Sequence, residues 1–155
     1  MLACVACQKE AKRQDDMPPR TPGSGEAQNG QRQVVYVESP NGEVPVNVEV
    51  VATEAKIERG LMYRQAMAVD AGMLFMMGKE HDWSFWMRNT LIPLDMLFIG
   101  RDKRVVGIVE NAESKTETLR KVGAPSFYVL EVNGGWSKQH QVAAGAKVRF
   151  ENVPE

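Results

Sequence analysis

Cysteine is absent after Cys7, so no disulfide can staple whatever folds downstream. Histidine occurs only at His81 and His140, which leaves that part of the chain without the ligands a zinc site needs. No stretch approaches the ~20 consecutive apolar residues of a membrane-spanning helix. Neither sign of charge is in excess. Nineteen Lys and Arg meet twenty Asp and Glu, and after residue 32 the balance is 14 − 16 = −2. Binding to a phosphate backbone normally leaves a basic bias, so nucleic acid is excluded as an expected partner. There is no P-loop, no dinucleotide fingerprint and no Gly-x-Ser-x-Gly elbow, and neither histidine stands in a triad motif. Gly134-Gly135 alone reads as a turn, and His140, after Lys138 and Gln139, as part of a solvated helix. No cofactor and no metal are implied. What is present is enough for one core: 155 residues, 43% of them hydrophobic and 25% charged.

Both cysteines fall in the opening MLACVAC. A Cys-x-x-Cys redox pair needs a strand before it and a helix after it, whereas polar sequence follows here. Leu2-Ala3-Cys4 and Val5-Ala6-Cys7 instead resemble the lipidation site of bacterial lipoproteins, so residues 1–7 are read as the remnant of an export signal with a lipid anchor on Cys4 or Cys7. An ordinary cytoplasmic leader is the alternative. From Gln8 to Gln33 only Ala11, Met17 and Ala27 are apolar, while proline and glycine cluster between Pro18 and Gly30. Such a segment cannot offset its ordering entropy and is expected to be a disordered linker, with a span of roughly 30 Å as a flexible coil. Residues 34–153 form the expected single domain, in an exported, periplasmic or membrane-tethered protein.

Within it the pattern is mostly strand. Val34–Glu38 and Val44–Val51 suit a hairpin about Pro40-Asn41-Gly42, whose Asn-Gly tolerates positive φ. A short helix follows, capped by Thr53 and ended by Gly60. Further strands are predicted at Met73–Met77, Trp83–Met87, Leu94–Ile99, Arg104–Val109, Phe127–Val132 and Lys147–Phe150. A second short helix near Trp136–Gln141 would be capped by Asn133. Many short strands and two short helices predict a mainly β or α+β fold, a largely antiparallel sheet closing toward a small barrel.

The densest stretch is FWMRNTLIPLD at Phe85–Asp95, where polar groups sit between two apolar runs. With RGLMYR at Arg59–Arg64, GMLFM at Gly72–Met76 and APSFYVLEVNGGW at Ala124–Trp136, it closely resembles domain-of-unknown-function family 192 of bacteria and archaea, over roughly Val34 to Val153. The resemblance implies the compact β fold and no particular activity.

Three carboxylates interrupt apolar strands: Asp95, Glu110 and Glu131. Desolvation would raise the pKa of each, as a general acid requires, and a pair across a cleft would suit glycoside hydrolysis. The competing reading pairs them with Arg59, Arg64 and Arg88, and it is the one adopted. Six of nine methionines lie between Met62 and Met87. Thioethers can hold Cu(I), but alternation with Leu74 and Phe75 reads as buried strand. A recognition surface is the remaining idea. Trp83, Phe85, Trp86 and Trp136 would wall a groove, with Arg64, Arg88, Asn89 and Asp95 as polar anchors; alternatively Phe85 and Met87 face the core and Trp86 packs under a loop. The expected function is a non-catalytic ligand-binding or interaction module of the cell envelope, for a glycan, another small polar ligand or a cell-wall component. A carbohydrate-active hydrolase and a structural or assembly protein without a small ligand are the alternatives.

Overall fold

The computed structural model describes residues 31–154. The lipidation motif and most of the linker expected from the sequence lie outside the described residues. Seven strands form one sheet: β1 (Val34–Ser39), β2 (Gly42–Val51), β3 (Ala71–His81), β4 (Leu94–Ile99), β5 (Val105–Ala112), β6 (Ser126–Asn133) and β7 (Val148–Glu151). Their order across the sheet is β5-β4-β6-β3-β2-β1-β7. Every neighbouring pair is antiparallel except β2 and β3, which run parallel and are joined by the short helix α1 (Glu54–Arg59) and a connection. The sheet curls until its edges approach: Arg104, before β5, bridges Lys147, before β7, and Val105 N–H donates to the Ala146 carbonyl at 2.9 Å. The mainly β, barrel-like expectation holds.

Alternation on each strand divides the apolar residues between two cores. Val35, Val46, Leu74, Leu97, Leu130 and Val148 belong to the core inside the curl, to which all seven strands contribute. The second core lies on the outer face of β3, β6 and β4, around Met73, Phe75, Met96, Phe98 and Val129. β4 is buried at all six positions, the mark of a strand covered on both sides. The outer face is covered by α1 and by the connections preceding β3, β4 and β6, with Leu61 and Met87 fully packed against it.

Asp95 is 0% exposed and shares its face with the inner core, opposite Val132 on β6. Its carboxylate accepts hydrogen bonds from the backbone N–H groups of Asn111 (2.7 Å), Gly135 (2.8 Å) and Ser137 (2.7 Å). These tie β5 and the turn before the second helix, α2 (Trp136–His140), to the middle of the sheet. The expected arginine is not there. Backbone donors suffice because a curled sheet brings two chain segments with unpaired amides to one buried acceptor.

Three local expectations change. Trp83–Met87 is not a sheet strand; its Phe85 N–H donates to Arg120 O and its Met87 N–H to Thr116 O, both at 2.9 Å, so it is an extended cover strapped to the β5–β6 connection. Asn133 does not cap α2, because its amide donates to the carbonyls of Met67 and Ala68, and Gly135, at φ 84°, stands at the cap with Asp95 beneath. Thr53 occupies the α1 cap position without a side-chain hydrogen bond. Gly60 does end α1, at φ 45°, its N–H on the Lys56 carbonyl at 2.9 Å.

Replacing Asp95 strands three backbone donors in the interior. At ~1–3 kcal/mol for each unsatisfied buried group, Asp95→Ala is expected to lose at least ~3 kcal/mol, whereas Glu110→Ala, at an exposed position of β5, should stay within ~0.5 kcal/mol. Urea midpoints of the two variants check this; equal losses would refute the clamp.

Candidate functional site

Glu131 stands on β6, between β3 and β4, on the outer face of the sheet. Register places Met73 on one side of it and Met96 on the other. It is only 4% exposed. Desolvation is the sole influence on its carboxyl: with no hydrogen bond or counter-charge from the described residues, burial pushes it from the ordinary 4.5 up to about 8. An acid held neutral on a central strand has no packing explanation, since a leucine would serve that position better.

Above Glu131 lies a cavity of about 330 Å³. One wall comes from Ile57 of α1, Leu61 and Met62 after it, and Phe75 and Met77 of β3. The other is built from Trp83, Phe85, Trp86 and Leu119. Phe85 is set by edge-to-face packing on Phe75 (5.4 Å) and Phe98 (5.9 Å). Thr90, buried, is the second polar group of the interior, and Glu58 and Arg59 are exposed residues of α1 that also line it. A neighbouring hollow of about 310 Å³ shares Glu58, Arg59, Met62 and Trp86 and adds Ala55, Arg88 and Asn89. The two adjoin as one groove, apolar over Glu131 and polar at its other end. Tyr63 N–H donates to Asn89 O at 2.8 Å and fastens the walls together.

The expected site residues divide. Trp86, 37% exposed, lines both hollows, and Arg88 stacks on it with the guanidinium 4.2 Å from the ring centroid. Arg88 also pairs with Glu117 at 2.9 Å, and that hydrogen bond, then the charge, lowers the Glu117 carboxyl below its ordinary range. Asn89 adopts φ 55°, a conformation that asparagine tolerates, and lines the polar end. Arg64 lines neither hollow: it makes a bidentate pair with Glu49. Trp136 is 4% exposed inside the curl, stacked near His140, on the opposite side of the sheet from the groove. Asp95 is buried on that same inner face, and Glu110 is exposed on β5.

The adopted pairing of the three acids with arginines is therefore corrected. Arg64 and Arg88 meet the exposed Glu49 and Glu117, and Arg59 forms no ion pair among the described residues. Pleating is the reason: Asp95 opposes Val132 while Met96 opposes Glu131, so the two acids point to opposite faces. Sequence reasoning weighed Met62 and Met77 only as Cu(I) thioethers or core, and did not place them, Thr90 or Leu119 at the groove. Met62 lies in the RGLMYR block, which did carry a signal; Leu119, in a polar stretch, carried none.

All four sequence blocks that carry the family likeness thus contribute to one cavity, through Leu61, Phe75, Trp86 and Glu131. The family model described as an uncharacterised group, domain-of-unknown-function family 192, matches residues 35–150. The chain belongs to that family. A Novosphingobium aromaticivorans protein of known structure, described as a protein of unknown function, shares 37% identity over 75% of this chain and 83% of its own, with a TM-score of 0.73. A Sinorhizobium meliloti protein described as a candidate transcription regulator shares 37% identity over 81% and 98%, with a TM-score of 0.75. Comparison with curated proteins finds no match for this family-192 chain.

Between pH 4.5 and about 8 folded Glu131 keeps a proton that the unfolded chain has released. Stability from this group is thus full below pH 4.5 and is lost as pH rises through about 8, at ~1.4 kcal/mol per pH unit. Glu131→Gln, neutral throughout, is expected to flatten that part of the stability–pH profile and to be more stable than wild type at pH 8. Urea unfolding of both at pH 5.5 and pH 8 measures the difference, and parallel profiles would refute it.

Proposed function

We propose that this family-192 domain is a non-catalytic binding module that takes a small ligand into the groove between the outer sheet face and its covering connections. One observation carries the reading: sequence blocks up to seventy residues apart (Leu61 to Glu131) converge on a cavity whose floor is a buried acid without a partner among the described residues. Strain of that kind, in a concave apolar site with few polar groups, marks a site kept for a ligand. A paired-carboxylate hydrolase needs two acids about 5–9.5 Å apart across one cleft. Of Asp95, Glu110 and Glu131, Glu131 alone lines the groove, so the glycosidase chemistry expected of that trio has no support. The regulator description of the Sinorhizobium meliloti relative is compatible with ligand sensing, while a balance of −2 after residue 32 argues against direct contact with DNA.

We also place the module in the cell envelope, on the strength of the Ala-Cys motifs at Cys4 and Cys7. Radiolabelled palmitate incorporated in a bacterial host, and lost in the Cys4→Ala, Cys7→Ala double variant, is the expected result; an unlabelled soluble protein would refute the anchor.

Trp83 and Trp86 both line the cavity, so their emission reports occupancy. A screen of small molecules by thermal shift and tryptophan fluorescence should yield a ligand that, at 100 times its Kd, adds about 2.7 kcal/mol. Trp86→Ala is expected to weaken that ligand at least ~10-fold, the equivalent of ~1.4 kcal/mol, while its partial exposure keeps the stability loss below the ~3–5 kcal/mol of a fully buried aromatic. Affinity unaffected by both Trp86→Ala and Glu131→Gln would place binding elsewhere and refute the reading.

A further inference from the structure

Resting on the binding reading above, we infer that the groove takes an organic ammonium ion, primary or methylated, with the cationic nitrogen held between the Glu131 carboxyl and the aromatic walls. The geometry supplies both recognition elements. Glu131 is the acid on the floor, 4% exposed and flanked by Met73 and Met96, with no hydrogen bond or counter-charge from the described residues. Phe75, Trp83, Phe85 and Trp86 surround the same space. The negative face of an aromatic ring attracts a cation, and the attraction strengthens where water is excluded. Both indoles already hold cations: Lys79 Nζ lies 5.6 Å from the Trp83 centroid and the Arg88 guanidinium 4.2 Å from that of Trp86. Neither Lys79 nor Arg88 is among the residues lining the cavity over Glu131, so among the described residues no side-chain cation occupies the position that the acid and the rings create.

A neutral ligand would use the acid as a single hydrogen-bond donor and leave the ring potential unused. An anion would meet an acid and four aromatic rings. Only a cation is favoured by both. Thioether sulfurs of Met62 and Met77 complete a soft, polarisable lining suited to N-methyl groups.

Binding then carries a proton. Among the described residues the charged groups that face the cavity are Glu58 and Arg59 of α1, both exposed; β3 presents Phe75 and Met77, the Trp83–Thr90 cover presents Arg88 only in the adjoining hollow, where it pairs with Glu117, the β5–β6 connection presents Leu119, and Met96 of β4 lies beside the acid. An arriving cation favours the ionised carboxylate, so Glu131, neutral when the cavity is empty, releases its proton to solvent as the ion pair forms.

The test uses the full-length chain, choline as a quaternary probe that does not itself titrate in this range, and 3,3-dimethyl-1-butanol as its uncharged isostere. Isothermal titration at pH 6, 7 and 8, in two buffers of different ionisation enthalpy, should show choline binding at least ~10-fold more tightly than the alcohol. Affinity should rise with pH and close to one proton should be released near pH 7. Glu131→Gln, its fold checked by circular dichroism, should lose at least ~10-fold in choline affinity and all of the pH dependence. The wild-type pH series and proton count stand independently should that variant fail to fold. An alcohol that binds as well as choline, or affinity that falls as pH rises, overturns the ammonium assignment and leaves the cavity as a site for neutral ligands. A tryptophan emission unmoved by charged and uncharged probes alike overturns the binding reading itself.

Discussion

The central strands β3, β6 and β4 are apolar on both faces, and the rest of the fold is a response to that constraint. A curled sheet hides one face by closing on itself, and Val35, Leu74, Leu97 and Leu130 fill the interior it makes. The other face, with Phe75, Met96 and Phe98, would remain in water. At ~25 cal/mol per Å² of apolar surface, leaving three large side chains uncovered would cost several kcal/mol, a large part of the stability of a domain this size. The chain therefore folds its connections back over the sheet. The segments carrying RGLMYR and FWMRN are the cover, and the space they fail to fill is the groove. Fold and candidate site have a common cause.

Asp95 and Glu131 show how pleating assigns different fates to acids one position apart in register. Asp95 turns inward, where β5 and the α2 turn present unpaired amides, and its carboxylate is satisfied by three of them. Glu131 turns outward, where the neighbours are methionines and aromatic rings, and no hydrogen bond from the described residues reaches it. Both side chains are buried and both interrupt apolar strands. Only one is a structural element; the other is a standing cost that a bound partner would relieve.

The domain's β character, two short helices, hairpin and most strand positions were legible in the sequence because they rest on local rules: alternation of apolar residues, Gly60 at a helix end, Gly42 after Pro40-Asn41. The family likeness was legible for a related reason, since FWMRNTLIPLD and GMLFM are contiguous blocks. Trp86, Arg88 and Asn89 could be singled out because polar residues in an apolar frame announce themselves.

What only the tertiary structure decided was the partner of each side chain. Trp83–Met87 has the composition of a strand, yet its amides find Thr116 and Arg120 across a connection, so it becomes a cover. Trp136 and Trp86 look alike in sequence, but the curl puts one in the inner core and the other at the groove. Arg64 and Arg88 are drawn to exposed glutamates, because a guanidinium gains more from a solvated partner within reach than from an acid buried on the wrong face. Periodicity says which residues leave water. Which of them then meet depends on register and curl, and those are properties of the whole sheet.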